Sequence, residues 1–169
     1  FAGSKALAYD ASRRPLAAVY GALHLCTNAV LSSLADGSRV LCVGAGTGDE
    51  LISLAQAYPS WTFAVVEPSA EMRGLCRDKA RSAGIDVRCE FLGGYIDLVP
   101  EAEGFDAAMC LLVSYFLLAP GEREALFSAI AAQLRIGGLL VNAELAADMS
   151  TPDYDVLRDS WVAMHRAAG

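Results

Sequence analysis

The stretch from Val40 to Gly48, Val-Leu-Cys-Val-Gly-Ala-Gly-Thr-Gly, restricts the fold of this chain more than any other. Four consecutive apolar residues suit a strand buried on both faces, and glycines directly behind it can take positive φ and bring backbone close to a ligand. Leu51, Leu54, Ala55 and Tyr58 then recur at helical spacing. The order is strand, tight turn, helix. The loop's free N–H groups are expected where the helix begins, as a place to hold a polar or anionic group.

A second apolar strand, Thr62 to Val66, runs into Glu67-Pro68-Ser69. Strands joined by one helix pair in parallel through a right-handed crossover, so the carboxyl ends of both should lie side by side. An acidic residue about 20 positions past the glycines can accept hydrogen bonds from ribose hydroxyls, and Glu67 stands there. A dinucleotide site wants G-x-G-x-x-G, whereas here Asp49 takes the third glycine's place and the spacing is G-x-G-x-G. Asp49 would repel a pyrophosphate and suit a ligand's amino group. Alternating glycines cost backbone entropy that a plain turn without a ligand does not need.

Through Val40 to Gly48, Glu67 and two later strands, the chain resembles the class I S-adenosylmethionine-dependent methyltransferases over roughly residues 36 to 145. The resemblance implies a doubly wound α/β fold, a mainly parallel Rossmann-like sheet with helices on both faces. It also implies S-adenosylmethionine as cofactor, S-adenosylhomocysteine as product, and methyl transfer to a small-molecule acceptor. Carried over residue by residue, the cofactor-binding set is Gly44, Ala45, Gly46, Thr47, Gly48, Glu67, Pro68, Met72, Tyr95, Ile96, Leu111 and Leu112. Met72 would either flank the adenine or belong to the core. The family commonly has an acidic residue where this chain has Tyr95, so a carboxylate contact to the adenine would have to come from Asp97. Tyr115 would face the methyl group or acceptor, or pack. Tyr9, Arg14 and Tyr20 would touch cofactor or substrate, or else belong to a solvated arm and a half-buried helix. The resemblance extends loosely to enzymes that make carboxy-S-adenosylmethionine for tRNA modification. No catalytic residue is assigned and no metal is expected. The rivals are a non-catalytic binding or dimerisation module and an NAD-dependent oxidoreductase, the latter opposed by the glycine spacing.

The rest of the chain reads as a single domain. Residues 1–35 form an N-terminal helical segment over the cofactor site and 36–169 the cofactor-binding domain. Pro15 opens a helix to Leu34 whose inward stripe should be Val19, Leu23, Cys26, Val30 and Leu34. Ser69 should cap a helix ended by Gly84, followed by strands at Val87 to Phe91, Phe105 to Val113 and Leu139 to Asn142. Between the last two lies a helix from Pro120-Gly121-Glu122 with Leu126, Ile130 and Leu134 on its core face, and Asp153 to Ala168 closes the chain, with His165 at the surface. Five strands would leave the fifth as a long apolar edge. The family's further strands are then expected from a longer protein or from a partner subunit, such as a homodimer mate.

Composition narrows the partners. Thirteen basic against twenty acidic residues give a net charge of −7, which disfavours nucleic acid. No run reaches the ~18 apolar residues of a membrane span. Five scattered cysteines without metal spacing suggest reduced thiols and a cytoplasmic setting, Cys42 and Cys110 being buried in strands.

Overall fold

Residues 9–11, 13, 16–100 and 104–167 are described by a computed structural model. Five parallel strands alternate with helices: β1 (Arg39–Val43), β2 (Thr62–Glu67), β3 (Cys89–Gly93), β4 (Phe105–Leu111) and β5 (Leu134–Ala143). The helices are α1 (Ala17–Leu31), α2 (Asp49–Ala57), α3 (Ala70–Ser82), α4 (Glu122–Gln133) and α5 (Asp153–Ala167). The strand order is β3-β2-β1-β4-β5, so the winding reverses between β1 and β4. A crevice opens beyond the carboxyl ends of the strands at such a reversal.

Side-chain alternation splits the strands between two cores. Val40, Cys42, Val65 and Met109 pack with Leu31 of α1, Leu51 and Leu54 of α2 and Cys76 of α3. Leu41, Val43, Ala64, Val66 and Cys110 pack on the other face with Ile96, Val99 and Ile130 of α4. Cys42 and Cys110 are fully buried, and burial pushes the Cys110 thiol up to about 12. Trp61 is buried in the first core, its ring stacked on Tyr58 at 3.8 Å and its Nε1 donating to the Ala35 carbonyl at 3.0 Å.

Three boundaries and one helix phase differ from the sequence expectation. Residues Asp86–Arg88 form a 3-10 turn and β3 begins only at Cys89, leaving Val87 exposed. The turn aims the Arg88 guanidinium at the end of α2, where it donates to the carbonyls of Ala55 (2.8 Å), Tyr58 (3.2 Å) and Trp61 (2.9 Å). Strand β4 stops at Leu111 because Leu112 takes φ 57°. Strand β5 begins at Leu134, directly after α4, with a register shift between its pairing to Phe105 and to Ala107. Around that shift Arg135 lies so close to Gly104 that a Cβ there would sit 2.7 Å from its backbone.

Helix α1 turns a different stripe inward. Of the expected stripe Leu23 and Leu34 pack on the core, whereas Val19, Cys26 and Val30 are exposed, and the buried positions are Leu16, Thr27 and Leu31. Its sequence is apolar on nearly every side, so hydrophobicity alone cannot set its rotation. Polar contacts do: Asn28 Nδ2 donates to Ser53 Oγ at 3.3 Å, and Tyr58 Oη donates to the Asn28 carbonyl at 2.9 Å. The core face expected for α4 is present, with Ile130 fully buried and Leu126 and Leu134 packed around it. Beyond β5 no strand pairs among the described residues, and no helix among them is long and apolar enough to cross a membrane.

Replacing Arg88 with Ala should remove three carbonyl partners and cost roughly 2 kcal/mol, lowering Tm by about 4–8 °C. Thermal unfolding followed by circular dichroism checks this, and an unchanged Tm would show that water satisfies those carbonyls equally well.

Candidate functional site

The turn between β1 and α2 is shaped by three glycines with different tasks. A Cβ at Gly44 (φ 67°) would meet Val113 Cγ2 at 2.5 Å, and one at Gly48 (φ 89°) would meet Cys76 Sγ at 2.5 Å. Gly46 (φ 55°) has open space at that point. The first and third glycines therefore admit neighbouring side chains, while the second keeps the loop low beside the crevice.

Four of the loop's N–H groups, expected to be free for a ligand, have acceptors within the protein. Gly44 N and Ala45 N donate to the Val66 carbonyl (2.8 and 3.4 Å), Gly48 N to the Ala45 carbonyl (2.9 Å) and Gly46 N to Glu67 Oε2 (2.9 Å). Parallel pairing of Val43 with Val66 sets the second strand's end directly beside the loop, and its acceptors take the donors. What the crevice receives is an acceptor, the Glu67 carboxylate. It is 7% exposed, and its Oε1 accepts from Ser69 N at 2.8 Å. Ser69 also caps α3, accepting from Met72 N at 3.3 Å.

A cavity of about 670 Å³ occupies the crevice, within the ~300–1,000 Å³ usual for small-molecule sites. Gly44, Ala45, Gly46, Glu67, Pro68, Met72, Tyr95, Ile96, Leu111, Leu112 and Tyr9 line it, as the sequence suggested. Thr47 and Gly48 do not. The Thr47 hydroxyl is buried beneath the loop, donating to Asp10 Oδ1 at 2.6 Å and accepting from Lys79 Nζ at 3.1 Å. Lys79 Nζ also holds Asp10 Oδ2 (2.6 Å) and Asp49 Oδ1 (2.7 Å). Asp49 is thus paired within the protein and off the cavity wall, where sequence reading had offered it to a ligand's amino group. Asp97 is exposed and likewise off the wall. Arg14 lies outside the described residues.

Tyr20 is also displaced from its expected role. It lines a separate groove with Asp49 and His24, beneath Arg13, whose guanidinium lies 3.8 Å from its ring centre. Arg13 itself lines the main cavity together with Glu50, to which it donates at 2.9 Å. Burial alone would raise the Glu50 carboxyl, but His24 and Arg13 outweigh it and hold it at about 2. Since His24 Nε2 stands 3.6 Å from Glu50 Oε1, beyond hydrogen-bond reach, Arg13 is the main partner. Tyr115 is off the wall too; its neighbours Phe116 and Leu117 are on it. Neither Arg13 nor Glu50 was marked in the sequence, and their separation of 37 residues leaves no local signal. Phe116 directly follows Tyr115 in the chain and takes the wall position.

Three described groups at or beside the wall are poorly suited to general-base work near neutral pH. Burial pushes the Tyr9 and Tyr115 phenols above their ordinary value, and Glu50 is bound to Arg13. No cluster of His, Cys, Asp and Glu among the described residues is placed to hold a metal ion. The arrangement can bind, orient and exclude water.

A family model described as a methyltransferase domain matches residues 40–138. Among solved structures, the chain is similar to an S-adenosylmethionine-dependent methyltransferase from Geobacter sulfurreducens in complex with S-adenosylhomocysteine, at 22% identity and TM-score 0.63 over 80% of this chain and 53% of that one. A corresponding protein from Thiobacillus denitrificans, also with S-adenosylhomocysteine, matches at 19% identity and TM-score 0.62 over 86% and 62%. The [4+2]-cyclase SpnF matches at 25% identity and TM-score 0.63 over 86% and 57%. The chain spans little more than half the length of the first of these structures.

The Glu50 carboxyl falls from 4.5 to about 2 on folding, so its stabilising contribution is complete above pH 4.5 and is lost as pH falls toward 2. Glu50→Gln should lower neutral-pH stability by on the order of 2–3 kcal/mol and flatten the acid limb of the stability curve between those values. Urea titrations across that range would expose an unaltered acid limb, the outcome against this assignment.

Proposed function

This chain belongs to the class I S-adenosylmethionine-dependent methyltransferase family, and we propose that it binds S-adenosylmethionine in the crevice and transfers its methyl group to a small-molecule acceptor. The Glu67 carboxylate carries this reading. Each of its oxygens accepts one backbone N–H, which fixes the group's orientation and leaves lone pairs for ribose hydroxyls. The donor set fits this cofactor better than a dinucleotide, because four of the loop's N–H groups, those of Gly44, Ala45, Gly46 and Gly48, already have acceptors within the protein and Gly46 keeps space open beside the carboxylate.

Within this reading Met72 and Ile96, both buried at the wall, flank the adenine; Tyr95 covers it from the exposed side. Gly44 to Gly46, Leu111 and Leu112 border the remainder. The segment carrying Tyr9 and Arg13 closes the cavity from above, which is the role we assign to residues 1–35. The cofactor supplies a methyl group already activated by a sulfonium, so the protein's part is alignment and exclusion of water. The raised Tyr9 phenol and the Arg13-bound Glu50 are consistent with that division. The acidic balance of the chain favours a small acceptor over nucleic acid, and unpaired cysteines favour the cytoplasm. The free edge of β5 is where a second copy or another segment would add to the sheet.

A second reading keeps the cofactor pocket without methyl transfer, as a binding module or an enzyme of another reaction. The likeness to a cyclase favours it.

Isothermal titration should show S-adenosylmethionine and S-adenosylhomocysteine binding, NAD failing to bind, and Glu67→Ala weakening both ligands about 10- to 100-fold through loss of charge-assisted hydrogen bonds. NAD binding, or no binding by folded wild type, would overturn the cofactor assignment; binding without methyl turnover across an acceptor screen would favour the second reading.

A further inference from the structure

We propose that the cavity takes a second ligand that is uncharged, planar and apolar, and that Phe116 selects it by stacking. The position of this subsite beside the cofactor rests on the reading above; its chemistry rests on the wall itself. Beyond Leu111 the cavity is bounded by Leu112, Val113, Phe116 and Leu117, with Leu126 of α4, and none of these side chains is polar. Among the described residues, the charged ones elsewhere on the wall are three glutamates and Arg13, which is tied to Glu50. A phosphate or carboxylate entering here would meet net negative charge and lose its water against aliphatic side chains.

The platform beneath Phe116 is built to stay in place. Leu112 adopts φ 57°, uncommon for a leucine and costing roughly 1–3 kcal/mol unless the surroundings impose it. They do. Leu112 N donates to the Ala143 carbonyl at 2.7 Å, and the Glu144 carboxylate accepts from Ser114 N (2.8 Å) and Tyr115 N (3.1 Å). Arg123 Nε donates to the carbonyls of Ser114 and Leu117, each at 3.1 Å. This bracing presents a phenyl ring that is still 59% exposed, supported from one side by Tyr115 at 4.1 Å between ring centres. An aromatic ring fixed at a cavity wall with area uncovered is a stacking partner for a flat ligand.

Four probes test the proposal on the full chain at pH 7.5, with and without saturating S-adenosylhomocysteine: indole, indole-3-acetate, tryptamine and cyclohexanol. Saturation-transfer NMR titrations should rank indole tightest, at least about fivefold above the anion, the cation and the saturated ring, with Phe116→Ala weakening indole about fivefold and Phe116→Tyr retaining it within about twofold. Tighter binding of a charged probe, equal binding of cyclohexanol, indifference to Phe116→Ala in a variant whose melting temperature is unchanged, or no indole binding would each overturn it. Indole binding that depends on Phe116 in a protein that ignores S-adenosylhomocysteine would keep this subsite and defeat the cofactor reading; the reverse pattern would do the opposite.

Discussion

A single carboxylate joins the parts on which the site depends. Glu67 ends β2, yet its two oxygens reach sideways to Gly46 in the loop after β1 and forward to Ser69 at the start of α3. At 7% exposure, losing either bond would leave a buried charge short of partners, which costs more than an ordinary hydrogen bond contributes. Loop, strand end and helix cap therefore hold one another. The cavity floor is a consequence of that mutual restraint.

The N-terminal segment is attached to the same loop from two sides. On one, Asp10 joins Thr47 and Lys79, and Lys79 also holds Asp49; on the other, Arg13 joins Glu50 and stacks on Tyr20. Both acidic residues at the start of α2 are thus used to anchor the segment. The favourable placement of carboxylates at a helix N-terminus adds to this, since each also meets the helix dipole. The charged groups that the sequence displays nearest the glycines serve attachment, and the apolar groups beyond β4 define what the cavity accepts.

The middle of the sheet was legible because β1, β2 and β4 are buried on both faces and write apolar runs, as Val40 to Val43 and Phe63 to Val66 do. The glycines and Glu67 followed from that frame. Other features had no local signature. The rotation of α1 hangs on Asn28, Ser53 and Tyr58, which are distant in sequence, while its own residues are apolar all round. The late start of β3 depends on Arg88 reaching carbonyls at the end of α2. Thr47 is expected at the cofactor but lies under the loop, where its hydroxyl donates to Asp10 and accepts from Lys79. Of the two placements open to Tyr115 the structure has it packed against Phe116 and off the wall, and the left-handed turn at Leu112, which redirects the chain before either residue, is not marked by a glycine.

The stacking of Trp61 on Tyr58 has a spectroscopic consequence. Trp61 is shut in the sheet's core with its indole N–H bonded to a carbonyl, whereas Trp161 sits on α5, a helix without a buried residue, edge-on to His165 at 4.8 Å. The two indoles therefore report on separate regions. Blue-shifted emission belongs to the core, and a longer-wavelength component, open to quenching by the neighbouring imidazole, belongs to the outer helix. Disturbing α5 alone alters only the second colour, so the protein's own fluorescence separates unfolding of the sheet from fraying at its margin.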